Sequence, residues 1–108
     1  MDVEEVTFDI IGINPLNEDG VYLCCSNMTW YPLWSAVCTH TPELTSRDYQ
    51  TGSMNDDLLI EGEKLFGIIR ALDDMVSGTK RSDIDETTWE NLKALLRFCE
   101  SNEGFRIC

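Results

Sequence analysis

Val6, Phe8 and Ile10 alternate with Thr7 and Asp9, the period-two pattern of a strand that buries one face. Asn14–Pro15 ends that run. The stretch NPLNEDG, through Gly20, collects turn formers: a proline with fixed φ, Asn and Asp side chains that bond the local backbone, and a permissive glycine. A loop is predicted there, then a second short strand over Val21–Cys25. In SNMTWYPLWSAVCTH the period lengthens. Leu33, Trp34, Val37 and Cys38 share one face of a helix that the pattern starts near Trp30, with Thr29 as cap, Pro32 in the first turn and Pro42 beyond the end. Thr45 and Asp48 stand at capping-box spacing, with Asp in place of the usual Glu, so a short helical turn is expected over Thr45–Tyr49. TGSMNDD reads as a loop.

The fullest amphipathic stripe runs from about Glu61 to Ser77. Leu65, Ile68, Ile69, Leu72, Met75 and Val76 recur on one face, with Glu61 and Glu63 at the positive end and Gly78 placed to cap. After the polar linker TKRSDID, Thr87 and Glu90 have capping-box spacing, and Trp89, Leu92, Leu95, Leu96 and Cys99 form the buried face of a last helix. Asn102 and Gly104 end it, and Phe105 and Ile107 fit a third strand. Residues 1–108 therefore predict a single α+β domain, with a small antiparallel sheet of about three short strands packed against three main helices.

Composition supports a packed interior, since 43% of the 108 residues are hydrophobic. Net charge changes the picture more. The chain carries −12, and residues 1–57 hold ten carboxylates against one basic side chain, Arg47, or −9 of the total. Direct binding to nucleic acid needs a Lys/Arg footprint that this half lacks, and an anionic membrane surface is disfavoured for the same reason. A basic partner is favoured instead. The expected partner-binding set is Asp9, Glu18, Asp19, Glu43, Asp48, Asp56 and Asp57, with Tyr31 as an exposed ring beside them. No run is apolar enough to span a bilayer and the start MDVEEV is acidic, so a cytoplasmic location is expected. An odd number of cysteines, five, then reads as reduced thiols, with Cys25, Cys38 and Cys99 serving as small hydrophobes.

Trp30, Tyr31 and Trp34 fall within five residues, and the two tryptophans share a helical face. They either fill the core under the sheet or form a stacking platform for a ligand, with Asn27, Asn55 and Asp56 around it. Asn27 reads first as a helix cap and second as a ligand contact. Met54-Asn55-Asp56-Asp57 lacks the spacing of a calcium loop, and Cys25, Cys38 and His40 lack the paired spacing of a zinc site, so no metal or cofactor is expected. No motif for a nucleophile, a phosphate cradle or a metalloprotease is present, and a non-enzymatic role is expected.

The string Asn14-Pro15, Glu18-Asp19-Gly20, Tyr22, Asn27, Trp30, Pro32-Leu33-Trp34, Cys38, Asn55-Asp56, Phe98, Ser101, Gly104-Phe105 and Ile107 resembles a family of small proteins encoded by bacteria and their phages, marked by N-x-x-W-x-P-L-W. The likeness covers most of the chain. It implies a shared fold and no particular activity. Size, charge and location together suggest an acidic inhibitor or adaptor that occupies a basic nucleic-acid-binding surface of a host complex, as anti-CRISPR proteins do. The alternative is a binder of a small, nucleotide-type ligand at the Trp/Asn segment.

Overall fold

The computed structural model describes residues 7–54, 57–77 and 86–107. Its elements are β1 (Thr7–Ile13), a 3-10 turn (Glu18–Gly20), β2 (Tyr22–Ser26), α1 (Asn27–His40), α2 (Ser46–Ser53), β3 (Leu58–Glu61), α3 (Glu63–Ser77), α4 (Glu86–Glu100) and β4 (Gly104–Ile107). The α+β class stands, but among the described residues there are four strands and four α-helices, against the three and three expected from sequence.

All strand pairs are antiparallel, in the order β2-β1-β4-β3. Period-two alternation sets the two faces. Phe8 and Ile10 of β1, Cys25 of β2, Ile60 of β3 and Phe105 and Ile107 of β4 are buried on the inner face, where they meet Trp30, Leu33, Trp34 and Val37 of α1, Leu65, Ile68 and Leu72 of α3, and Leu92, Leu95, Phe98 and Cys99 of α4. These form one continuous core. The outer face keeps Tyr22, Ile11 and Leu59 exposed, and register places Tyr22, Ile11, Arg106 and Leu59 side by side in a row across all four strands. Asp57 accepts from Nη1 of Arg106 through both carboxylate oxygens, at 3.0 and 2.9 Å.

Several boundaries differ from the sequence reading. β2 lies one residue later than expected, and α2 runs on to Ser53, so Thr51–Ser53 are helical and not the start of a loop. Ser26, not Thr29, caps α1: its hydroxyl accepts from the Thr29 backbone N–H at 3.3 Å, so the helix begins at Asn27, which is its first residue and not its cap. Leu58–Glu61 is a strand because it completes β4, with Ile60 opposite Phe105 and Glu61 opposite Gly104. Glu61 therefore belongs to β3, and Gly62, at φ +62°, turns the chain into α3. Thr87 is the second residue of α4, inside the helix, and Trp89 is only half-buried, donating its indole N–H to the Val76 carbonyl at 3.2 Å while the Lys93 ammonium sits 4.0 Å from its ring centroid. The strand position given to Val6 and the cap given to Gly78 lie outside the described residues.

Candidate functional site

Aromatic packing settles the first candidate. Trp30 and Trp34 stack at 5.4 Å between centroids and 14° between planes, and Phe8 continues the stack beyond Trp30 at 5.9 Å. Both indoles are fully buried. Their N–H groups are also satisfied internally, since Trp30 Nε1 donates to the Gly52 carbonyl at 2.9 Å and Trp34 Nε1 to the Tyr49 carbonyl at 3.2 Å. The indoles thus clamp α2 onto α1, and the absence of a side chain at Gly52 lets the Trp34 ring lie against the α2 backbone. A ligand platform on Trp30 and Trp34 is excluded, because no face of either ring reaches solvent. Of the other members of that ligand set, Asn27 is the first residue of α1, while Asn55 and Asp56 lie outside the described residues, as does Asp56 in the partner-binding set. Tyr31 is exposed as expected, its ring edge-on to Phe8 at 5.5 Å.

The carboxylates of the predicted partner-binding set do not share one face, because the elements that carry them leave the sheet in different directions. Asp9 and Asp57 belong to the open face of the sheet, where Asp9 accepts the Tyr22 hydroxyl at 2.5 Å and Asp57 holds Arg106. That hydrogen bond, followed by one to Cys24, pushes the Tyr22 phenol above its ordinary range. Glu43 pairs with Arg70 at 2.6 Å, which holds its carboxyl below the usual carboxylate range. Asp48 is buried and cannot meet a partner. Its Oδ2 accepts the Thr45 backbone N–H at 2.9 Å while the Thr45 hydroxyl accepts the Asp48 N–H, a complete capping box, and Lys64 closes an ion pair at 2.9 Å.

Asp48 has a measurable consequence. Burial pushes its carboxyl up, but the Thr45 backbone and the Lys64 ammonium pull it further down, so it stays below the ordinary value of 3.8. A folded-state pKa depressed in this way contributes stability that is fully present above the unfolded value and is lost as pH falls through the folded one. Asp48→Asn is therefore expected to cost about 1–3 kcal/mol at neutral pH. The gap between variant and wild type should narrow below about pH 4. Urea midpoints at pH 7 and pH 3 check this, and an equal gap at both would contradict it.

Glu18 and Asp19 remain, exposed in the 3-10 turn, where the Asn17 side chain accepts from the Asp19 N–H at 2.9 Å. Main-chain bonds seat the loop around this turn on the carboxyl end of α4: Leu16 N–H donates to the Ser101 carbonyl at 2.8 Å, and Glu103 N–H to the Ile13 carbonyl at 3.2 Å. Glu100 and Glu103, both exposed, belong to the same end, and Glu103 accepts from the Asn14 amide at 2.8 Å. Four carboxylates and the negative end of a helix therefore meet at one pole. Nothing in the sequence marks Glu100 and Glu103, because only the fold brings residues 18 and 100 together.

Elsewhere, a shallow groove of about 370 Å³ runs between α1 and α2, lined by Ser35, Cys38, Thr39, Thr45 and Tyr49 among others. Burial pushes the Cys38 thiol up to about 12 and the Cys25 thiol to about 11, in keeping with their role as small packing groups. Among the described residues, no group of three or more His, Cys, Asp or Glu side chains is arranged to hold a metal ion, and no helix is long and apolar enough to cross a membrane. No known family, curated protein or solved structure matches the chain.

Proposed function

We propose that the protein is an acidic protein-binding inhibitor or adaptor, with the pole formed by the 3-10 turn and the end of α4 as its contact surface. The supporting observation is how the charges pair. Four of the six basic side chains among the described residues, Lys64, Arg70, Lys93 and Arg106, are engaged by a carboxylate of this chain, leaving Arg47 and Arg97, while Glu18, Asp19 and Glu100 face solvent with no such partner among the described residues. The outward field is negative, and its natural complement is a basic protein surface. A surface shaped to bind phosphates, such as the nucleic-acid channel of a host complex, is the partner class this field suits best, and a phage-type anti-defence role is the biological form the reading takes. Direct contact with nucleic acid is disfavoured by like charge.

The test is capture of partners from host lysate on the immobilised wild type and on a variant with Asp19→Lys and Glu100→Lys. Raising salt from about 0.01 to 0.15 M shortens the screening length from roughly 30 to 8 Å. Retention of basic proteins should fall steeply with salt, and the variant should bind them at least about tenfold more slowly. Capture that ignores both salt and charge reversal would remove this reading.

A further inference from the structure

β2 is an edge of the sheet, paired with β1 on one side and with no other strand among the described residues. Edge strands expose unpaired N–H and C=O groups, and proteins that stay monomeric usually guard them with lysine, proline or a bulge. β2, with the sequence Tyr-Leu-Cys-Cys-Ser, has no lysine or proline, keeps continuous register with β1, and is the one strand of the four without a charged residue. Side chains suited to contact flank it on both faces. Tyr22 and Cys24 are exposed on the open face, and on the helix face Leu23 is half-buried and Tyr31 half-exposed beside Phe8.

We propose that β2 pairs antiparallel with β2 of a second copy about a two-fold axis at Cys24, joining the two sheets into one with four strands from each copy. Two features select a second copy as the occupant. Cys24 is the middle residue of a five-residue strand without charge, so an axis there sets no like charges opposite one another over its whole length, as a self-complementary two-fold contact requires. Antiparallel pairing also carries the start of one β2 to the end of the other. Glu18 and Asp19, just before β2, then come alongside the N-terminus of the other copy's α1, which follows Ser26 directly and has no acidic residue in its first turn. Carboxylates stabilise a helix N-terminus, and symmetry makes the contact twice.

Mutual repulsion of two chains at −12 opposes this contact, so it strengthens as salt screens it. A short edge with its flanking tyrosines also falls below the roughly 1,200–2,000 Å² of a standard stable interface, which makes the dimer weak and concentration-dependent. Sedimentation of the full chain up to about millimolar concentration, at about 0.15 and 1 M salt, should show the mass of one chain moving to that of two, further at the higher salt. Directly opposed residues of an antiparallel pair lie about 4.5–5.5 Å apart between Cα atoms, within the roughly 4.4–6.8 Å that a disulfide spans. Oxidised glutathione, taking up the two electrons and two protons that leave the two Cys24 thiols as one S–S bond forms, should therefore give a covalent dimer. Cys24→Ser should lose the cross-link and keep the dimer, whereas Cys24→Lys, facing two ammonium groups across the axis, should be monomeric. A wild type that stays monomeric throughout, or a dimer that Cys24→Lys leaves intact, overturns the proposal. The basic-partner reading predicts the opposite salt dependence, so the two fail separately.

Discussion

Trp30→Ala is expected to lower stability by about 3–5 kcal/mol, a large fraction of the ~5–15 kcal/mol that holds a domain folded. Three losses coincide. The indole is fully buried between Phe8 and Trp34, so truncation opens a cavity lined by both rings. The offset stack, worth about 0.5–1.5 kcal/mol beyond area burial, disappears. The Gly52 carbonyl, which accepts the indole N–H at 2.9 Å, is left without its donor in a buried position, and α2 loses one of its two clamps. Trp30→Phe separates these effects, because it keeps a ring in the stack and removes only the N–H and some volume. It should cost less, about 1–3 kcal/mol. Urea denaturation checks both variants, with an unchanged denaturant slope showing that stability and not the unfolded ensemble has changed. A Trp30→Ala protein within about 1 kcal/mol of wild type would be incompatible with a core role.

The tryptophans also show where a sequence stops being informative. Their four-residue spacing placed them on one helical face, yet a buried pair and a ligand platform have the same spacing. What separates the two is the position of the Tyr49 and Gly52 carbonyls, which come from an element fifteen and twenty-two residues away. Asp48 is a similar case. Its capping-box spacing with Thr45 is legible in the sequence, but its burial is not, because the Lys64 ammonium that pairs with it comes from sixteen residues on.

Elements with a clean period were the readable ones. The stripe of α3 and the alternation of β1 each follow from one face being buried, and the structure buries Leu65, Ile68, Leu72, Phe8 and Ile10 as the pattern required. β3 was hidden because Leu58, Leu59 and Ile60 are consecutive apolar residues, so no alternation marks that Leu59 points outward. The acidic first half was real as a count and misleading as a place. β1 and the 3-10 turn deliver their carboxylates to separate parts of the surface, α2 buries Asp48, and the pole that emerges borrows Glu100 and Glu103 from the second half.

That same pole depends on a close junction, and Gly12→Ala is expected to break it, at a cost of about 3 kcal/mol or more. Gly12 lies on the inner face of β1, where the 3-10 turn and the end of α4 converge. A Cβ there would stand 1.8 Å from the Gly20 carbonyl oxygen and 2.1 Å from Oδ1 of Asn102. The first is backbone, so relief requires lifting the turn and weakening the Gly12-to-Val21 and Leu16-to-Ser101 hydrogen bonds that seat it. The second is a side chain held by its own bond, Nδ2 donating to the Phe98 carbonyl at 2.8 Å, while its Oδ1 has no hydrogen-bond donor among the described residues. Asn102→Ala alone should therefore cost only about 1–2 kcal/mol. Combined with Gly12→Ala it removes the softer of the two clashes and leaves the backbone one. The double variant should thus be more stable than the sum of the single losses predicts, yet well short of wild type. Urea midpoints of the four proteins test this coupling, and strict additivity would place Gly12 and Asn102 out of contact. Amide exchange at Leu16 and Glu103 provides a second readout, with protection lost in Gly12→Ala and kept in Asn102→Ala, because only the former displaces the turn that carries Glu18 and Asp19.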